Sequence, residues 1–209
     1  AFDPAQGGVI SPGGVGYDIN CGVRVLETPL TRADVEPRID ALVKGLFKAI
    51  PTGVGSKRKD LKLSPAEQER VLAEGAGWAV KAGFGEGEDA ERIEENGRIE
   101  GADPDAVSPK AKNRGLNQLG TLGSGNHFTE IGFVDAIFDE AAAKAFGLFE
   151  GQALVFVHTG SRGLGHQVCG DALKALRSTP QKYGIKLPDR QLVCAPVDSS
   201  EGRRYMGAM

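Results

Sequence analysis

Residues 123 to 130 read Gly-Ser-Gly-Asn-His-Phe-Thr-Glu, and this glycine-rich corner is the stretch around which the chain is organised. The apolar run 131–134 follows it directly. Glycines allow a backbone to approach a ligand closely, and Asn126 and His127 supply polar groups that could hold one. A Gly-Ser-Gly turn with a single histidine is more often an ordinary loop than a site. Other parts of the sequence must therefore decide whether this corner is a binding site.

Two further stretches have the same character. They are Ser11-Pro-Gly-Gly-Val-Gly-Tyr-Asp18-Ile-Asn-Cys21-Gly and Val157-His158-Thr-Gly-Ser-Arg162-Gly-Leu-Gly-His166. Glycine makes up 30 of the 209 residues, about twice the usual share, and follows no collagen-like period. The excess therefore indicates shaped loops. Together the three stretches collect the residue types that a metal and phosphate site requires.

Composition excludes several classes of protein. The net charge of −3 provides no general surplus of Lys and Arg for nucleic acid, so a phosphate-bearing partner would need a local basic patch and metal. Three cysteines, an odd number, and no apolar leader favour a reducing, cytoplasmic setting without a disulfide framework. No run approaches the roughly 18 apolar residues of a membrane span, so no membrane partner is expected.

Secondary-structure signals alternate between strands and helices and predict a mixed α/β fold, with a central sheet whose glycine-rich loops converge on one cleft. Strands are expected at Val23–Leu26, Leu154–Val157 and Leu192–Pro196, the second of them buried on both faces. Trp78, Cys169 and Cys194 are expected in the core. Helices are predicted at about 39–50, 64–81, 108–119, 139–146 and 164–176, with a last helix capped by Ser199 or Ser200.

Chain organisation is expected to be a single catalytic domain over residues 1–209. The sequence starts at Ala1 and stops within a helical pattern at Met209, so we expect it to be incomplete at both ends. Residues 86–107 are acidic and poor in large apolar side chains, which predicts an exposed insertion. The basic segment Gly53–Lys59 fits either a solvated loop or a contact to a phosphate backbone.

Four residues form a plausible metal-ligand set. Asp18 and Cys21 are three positions apart across a tight turn, and His127 and His158 each adjoin a predicted strand. The same residues could instead be a polar turn, an inert buried thiol and two hydrogen-bonded imidazoles. Thiolate and imidazole favour zinc, whereas the carboxylate leaves room for manganese.

An anion site is predicted where the strand Leu154–Val157 runs through a glycine loop into a helix. Backbone N–H groups at such a helix start face an anion, and Arg162 adds a bidentate donor suited to phosphate. We read His166 as a phosphate or structural hydrogen-bonding group rather than a metal ligand. A Walker P-loop and a serine-elbow motif are both missing from the sequence.

The glycine-rich stretches resemble the RtcB family of RNA-splicing ligases in order and in length. The matching segments are Pro12-Gly-Gly-Val-Gly-Tyr-Asp18-Ile-Asn-Cys21-Gly-Val-Arg24, Gly120-Thr-Leu-Gly-Ser-Gly-Asn126-His127-Phe128, His158-Thr-Gly-Ser-Arg162-Gly-Leu-Gly-His166-Gln167 and Pro196-Val-Asp-Ser-Ser-Glu-Gly-Arg-Arg-Tyr-Met-Gly-Ala-Met209. The resemblance implies a GTP- and manganese-dependent ligase. Such an enzyme joins RNA ending in a 3′-phosphate or 2′,3′-cyclic phosphate to RNA with a 5′-hydroxyl, through a histidine that carries GMP.

Carried onto this sequence, the resemblance implies two manganese ions. Asp18, Cys21 and His127 would hold one, and Cys21 would bridge to a second that His158 also holds. The residues implied to contact the guanylate are Asn126, His127, Phe128, Thr129 and Glu130, with Asn126 and Glu130 acting through their side chains. Arg162 would meet RNA or nucleotide phosphate by our own inference. RNA, either tRNA halves or broken RNA, is the implied substrate, and an activating protein partner is possible.

The family's guanylate-accepting histidine, another metal-binding histidine and a guanine-binding lysine are expected beyond Met209. No catalytic residue is therefore assigned within residues 1–209. Two other functions stay open from the residues alone. One is a metal-dependent phosphoesterase that uses Arg162 as a clamp, and the other is a nucleotide- or RNA-binding module without turnover.

Overall fold

A computed structural model describes residues 3–58 and 60–209, so Lys59 of the basic segment lies outside the described residues. The fold is mixed α/β, as the sequence predicts. The strands are β1 Val9–Ile10, β2 Gly22–Thr31, β3 Phe128–Phe133, β4 Gln152–Thr159 and β5 Ala195–Pro196. The helices are α1 Pro12–Val15, α2 Arg32–Val35, α3 Ile39–Ala49, α4 Pro65–Glu74, α5 Ala76–Lys81, α6 Gly87–Glu91, α7 Pro109–Gly115, α8 Glu140–Ala145, α9 Arg162–Ala175, α10 Thr179–Lys182 and α11 Ser200–Ala208.

The chain divides into two compact units. The first unit comprises Ala1–Ile19, Leu61–Asn117 and Ser161–Met209, and the second comprises Asn20–Asp60 and Gln118–Gly160. Each unit is thus assembled from segments that are distant in sequence. Among the described residues, no helix is both long and apolar enough to cross a membrane.

The second unit is built on a three-stranded antiparallel sheet in the order β2-β4-β3. Its central strand, β4, pairs with β2 on one side and β3 on the other. The sequence predicts this strand to be buried on both faces, but burial is confined to its first half, where Ala153 is 2% and Leu154 is 6% exposed. The second half, which ends at the glycine loop, is only half-buried.

One buried glutamine ties the sheet to its connections. Gln152, at the start of β4, is 3% exposed. Its Nε2 donates to the carbonyl oxygens of Thr28 at 3.0 Å and Gly147 at 3.3 Å, while its Oε1 accepts from the Phe149 N–H at 3.2 Å. A buried amide is tolerated only when its donors and acceptor are satisfied, so Gln152 fixes where β4 begins.

The core of the first unit lies where α7, α9 and α11 pack together. Its buried members are Ile10, Ile19, Val107, Ala111, Val168, Cys169 and Tyr205. The prediction that Ser199 caps the last helix is confirmed, because its Oγ accepts from the Gly202 N–H at 3.0 Å. Trp78 and Cys194 are also buried, as predicted.

The helix predicted over residues 64–81 is wrong in one respect, since it is two helices, α4 and α5. The capping box at Ser64 and Glu67 starts α4 as expected. Gly75 breaks the run because its backbone lies in the left-handed region with φ of 57°, where glycine is favoured. A Cβ on Gly75 would also overlap the carbonyl oxygen of Gly97, so the segment around Gly97 packs directly on this break.

Two other predicted boundaries move. The strand expected at Leu192–Pro196 shrinks to β5, which pairs antiparallel with β1. The residues before it form the 3-10 turn Arg190–Leu192, because the Asp189 carboxylate caps the Gln191 N–H at 2.8 Å. The helix expected to reach about residue 119 ends at Gly115.

The predicted amphipathic helix near residues 39–50 is present as α3, but its apolar face is open to solvent. The side chain of Val43 is 54% exposed and that of Phe47 is 77% exposed. The capping box at Thr31 and Asp34 starts the short helix α2 instead, and the turn Glu36–Arg38, which contains Pro37, separates α2 from α3.

Candidate metal centre

The sheet of the second unit brings three candidate ligands to one edge. Cys21 immediately precedes β2, His127 immediately precedes β3, and His158 is the penultimate residue of β4. Because β4 runs antiparallel to both neighbours, the starts of the two edge strands flank the end of the central strand. The register shows this directly, since His158 is paired with Val23 on one side and Phe128 on the other.

The Cys21 thiol is the centre of this group. Its Sγ lies 3.2 Å from Nε2 of His158 and 3.5 Å from Nε2 of His127. The two imidazole rings are 5.5 Å apart between centroids and inclined by 63°. A sulfur with two imidazole nitrogens at this range is a donor set suited to a transition-metal ion.

Asp18 joins the group from the turn of residues 17–20 that leads into Cys21. Ligand atoms of Asp18, Cys21 and His127 all lie within 4.8 Å of one another. Asn20 allows the tight approach, because its φ of 56° places it in the left-handed region, which asparagine tolerates better than most residues. The donor chemistry of these residues fits a divalent cation.

Hydrogen bonds hold the glycine-rich corner in place. The Leu122 N–H donates to the Pro51 carbonyl at 2.9 Å, and the Gly53 N–H donates to the Gly123 carbonyl at 2.6 Å. The Thr159 hydroxyl, at the end of β4, donates to the Leu122 carbonyl at 2.7 Å. These bonds fix the backbone shortly before His127, while residues 124–126 are exposed.

Residues 126–130, the predicted guanylate contacts, divide between the two faces of the sheet. Phe128 and Glu130 alternate with Thr129 along β3, so those two share one face and Thr129 lies on the other. Phe128 is paired with His158, and its ring meets the His158 ring edge-on, with centroids 5.4 Å apart. Asn126 is exposed directly before His127.

Arg162 and His166 lie on the first turns of α9 in the first unit. Burial lowers the pKa of the Arg162 guanidinium, and the nearby Asp18 carboxylate opposes that shift. Arginine stays charged under such conditions, so Arg162 is a half-buried cation next to a candidate metal ligand.

Two neighbours of His166 are missing from the sequence-based set. The His166 ring packs on Tyr17, and its Nδ1 lies 3.4 Å from Nη1 of Arg114. Tyr17 precedes Asp18 in the glycine-rich stretch of residues 11–22, but neither its residue type nor its spacing distinguishes it from an ordinary turn residue. Arg114 lies in a helix 52 positions from His166, and no sequence signal pairs the two.

Comparison with known proteins identifies the family. A family model described as tRNA-splicing ligase RtcB matches residues 1–209. The chain belongs to the RtcB family. The resemblance of the glycine-rich stretches is thereby confirmed, and those RtcB segments are the ones that carry Asp18, Cys21, His127 and His158.

Curated RtcB proteins are similar over nearly the whole chain. The tRNA-splicing ligase RtcB of Thermococcus kodakarensis is 58% identical over 209 residues, which is 100% of this chain and 43% of that protein. The corresponding RtcB of Methanococcus maripaludis is 54% identical with the same coverage. That of Pyrobaculum aerophilum is 56% identical over 206 residues, 98% of this chain and 42% of that protein. The chain thus spans less than half the length of these RtcB relatives.

Proposed function

We propose that the protein is a cytoplasmic RNA ligase acting in tRNA splicing or RNA repair. It uses GTP and manganese to join RNA ends that carry a 3′-phosphate or 2′,3′-cyclic phosphate to ends that carry a 5′-hydroxyl. The observation that carries the proposal is the Cys21 thiol within 3.5 Å of both His127 and His158, in a chain that matches the RtcB family model throughout. A protein partner that activates the ligase is part of the proposal.

Two manganese ions would occupy the metal centre. Asp18, Cys21 and His127 would hold one ion, and Cys21 and His158 would contribute to holding the second. Bound there, manganese would supply positive charge against the triphosphate and the transferring phosphoryl group. The position of the thiol between two imidazoles supports Cys21 as the shared ligand.

The guanylate would lie along Asn126, His127, Phe128, Thr129 and Glu130. Phe128 and Glu130 share a face of the sheet with His158, which suits a ring contact to the nucleotide from Phe128 and acceptance of hydrogen bonds by the Glu130 carboxylate. Thr129 lies on the opposite face and would contribute through its backbone. Arg162 and His166 would contact RNA phosphate.

The guanylate acceptor is not among the histidines of this sequence. Those are His127 and His158, assigned to metal, and His166, assigned to RNA. We therefore expect the nucleophilic histidine beyond Met209. Residues 1–209 would form part of one catalytic domain, and residues 86–107 would be an acidic insertion in it.

Ligation of RNA with defined ends tests this proposal. We expect the protein to join a 3′-phosphate strand to a 5′-hydroxyl strand when GTP and manganese are both present, and to lose the product when either is omitted. Matched strands ending in 3′-hydroxyl and 5′-phosphate should not be joined. Release of inorganic phosphate without a joined product, and without a requirement for GTP, would contradict the proposal and indicate a phosphoesterase.

A further inference from the structure

An exposed aromatic pair lies beside the residues already assigned. Tyr17 is 48% exposed, although burial is the favoured state of an aromatic ring. One side of it packs against His166, with ring centroids 4.8 Å apart and planes inclined by 34°. The Tyr17–His166 pair therefore leaves ring surface of Tyr17 open to solvent.

Hydrogen bonds fix the His166 ring behind Tyr17. Arg114 Nη1 lies 3.4 Å from the His166 Nδ1 and donates to the Gln167 Oε1 at 3.0 Å. A guanidinium only donates, so in this contact the His166 Nδ1 can only accept. Gln167 is 6% exposed and donates in turn to the Asp171 carboxylate at 2.7 Å. Arg114 therefore links the His166 ring, which packs on Tyr17, to the buried Gln167 of α9.

Arg162, proposed above to contact phosphate, is the first residue of α9, four positions before His166, and its backbone lies in the left-handed region with φ of 52°. Arg162 also interacts electrostatically with the carboxylate of Asp18, the residue that follows Tyr17. Single-stranded nucleic acid is typically bound by cationic side chains next to an exposed aromatic ring. The cation contacts the phosphate, and the ring stacks on the base.

We propose that the exposed ring surface of Tyr17 stacks an unpaired base of the RNA substrate, while His166 and Arg114 hold Tyr17 in position. This inference rests on the proposed function and narrows it, since it makes single-stranded RNA the form that the protein recognises. Stacking tolerates every base, so the contact carries affinity without sequence preference.

Binding of a short single-stranded RNA to the purified protein tests the contact. Fluorescence anisotropy is measured without GTP and with a metal chelator, so that the result does not depend on the metal centre. Tyr17→Leu keeps apolar bulk but removes the ring, and we expect affinity to fall about tenfold. Tyr17→Phe keeps the ring and should bind within about twofold of the wild type. Tyr183→Leu removes another exposed tyrosine of the first unit and serves as the control.

Salt dependence separates stacking from charge. Tyr17→Leu should leave the slope of log affinity against log salt unchanged, whereas Arg162→Ala should reduce it by about one phosphate contact. Equal RNA affinity of Tyr17→Leu and wild type would overturn the stacking contact alone. A wild-type protein that binds no RNA under any metal condition would overturn the proposed function with it.

Discussion

Replacement of Cys21 by serine is expected to lower manganese affinity on the order of a hundredfold or more. The thiol is the atom that lies within 3.5 Å of both imidazoles, so its loss removes the ligand common to both proposed ions. A serine hydroxyl is not deprotonated under these conditions and is a poor substitute for a thiolate. Because Cys21 is exposed, the thermal unfolding temperature of the metal-free protein should not change.

Metal titration by electron paramagnetic resonance, which detects free manganese, measures this effect. Cobalt provides a second readout, since a thiolate–cobalt absorption band should form in the wild type and disappear in Cys21→Ser. Ser124→Ala, an exposed change in the glycine-rich corner, is the matched control and should bind metal normally. Wild-type manganese affinity in Cys21→Ser would show that the thiol is not a ligand.

Alanine at Gly165 is expected to destabilise the protein by about 2 kcal/mol and to weaken RNA binding. A Cβ at this position would lie 2.6 Å from the Cβ of Ser161 and 3.3 Å from the Cβ of Ile19. Overpacking of this kind typically costs 1–3 kcal/mol because the backbone must shift, as in other well-packed cores. In Gly165→Ala this shift would affect the first turn of α9, which contains Arg162, the proposed RNA contact.

Alanine at Gly170 in the same helix is the matched control. Among the described residues, no heavy atom counted outside the local helix lies within 4 Å of the position a Cβ would take. Gly170→Ala should therefore stabilise the protein by about 0.5–1 kcal/mol through helix propensity. Urea unfolding measures both variants. Equal stability of the Gly165→Ala and Gly170→Ala proteins would contradict the packing argument.

Local signals in the sequence predict the helix starts well. The Ser64 box, the Asp139 cap of α8 and the Ser199 cap of α11 all depend on side chains within three residues of the backbone group they bind. Such bonds form from neighbouring residues alone. The packing of Gly97 on the break at Gly75 is different, because it joins residues that are 22 positions apart in the sequence.

The candidate site divides in the same way. The motifs identify Asp18, Cys21, His127 and His158, because glycines and metal-ligand types occur together in the sequence. Strand register then decides which atoms meet, and the pairing of His158 with both Val23 and Phe128 follows from the β2-β4-β3 order. Strand order is a tertiary property that residue patterns do not encode. The contact of Arg114 with His166 is likewise tertiary, because it depends on the packing of α7 against α9.

The location of manganese in crystals of the protein tests whether the metal centre is built on Cys21. Anomalous scattering at the manganese edge should show two ions beside the Cys21 sulfur, one towards Asp18 and His127 and the other towards His158. The same data from Cys21→Ser crystals should show both peaks lost or strongly reduced. Manganese peaks that are remote from Cys21, or that persist unchanged in Cys21→Ser, would contradict a metal centre built on this thiol.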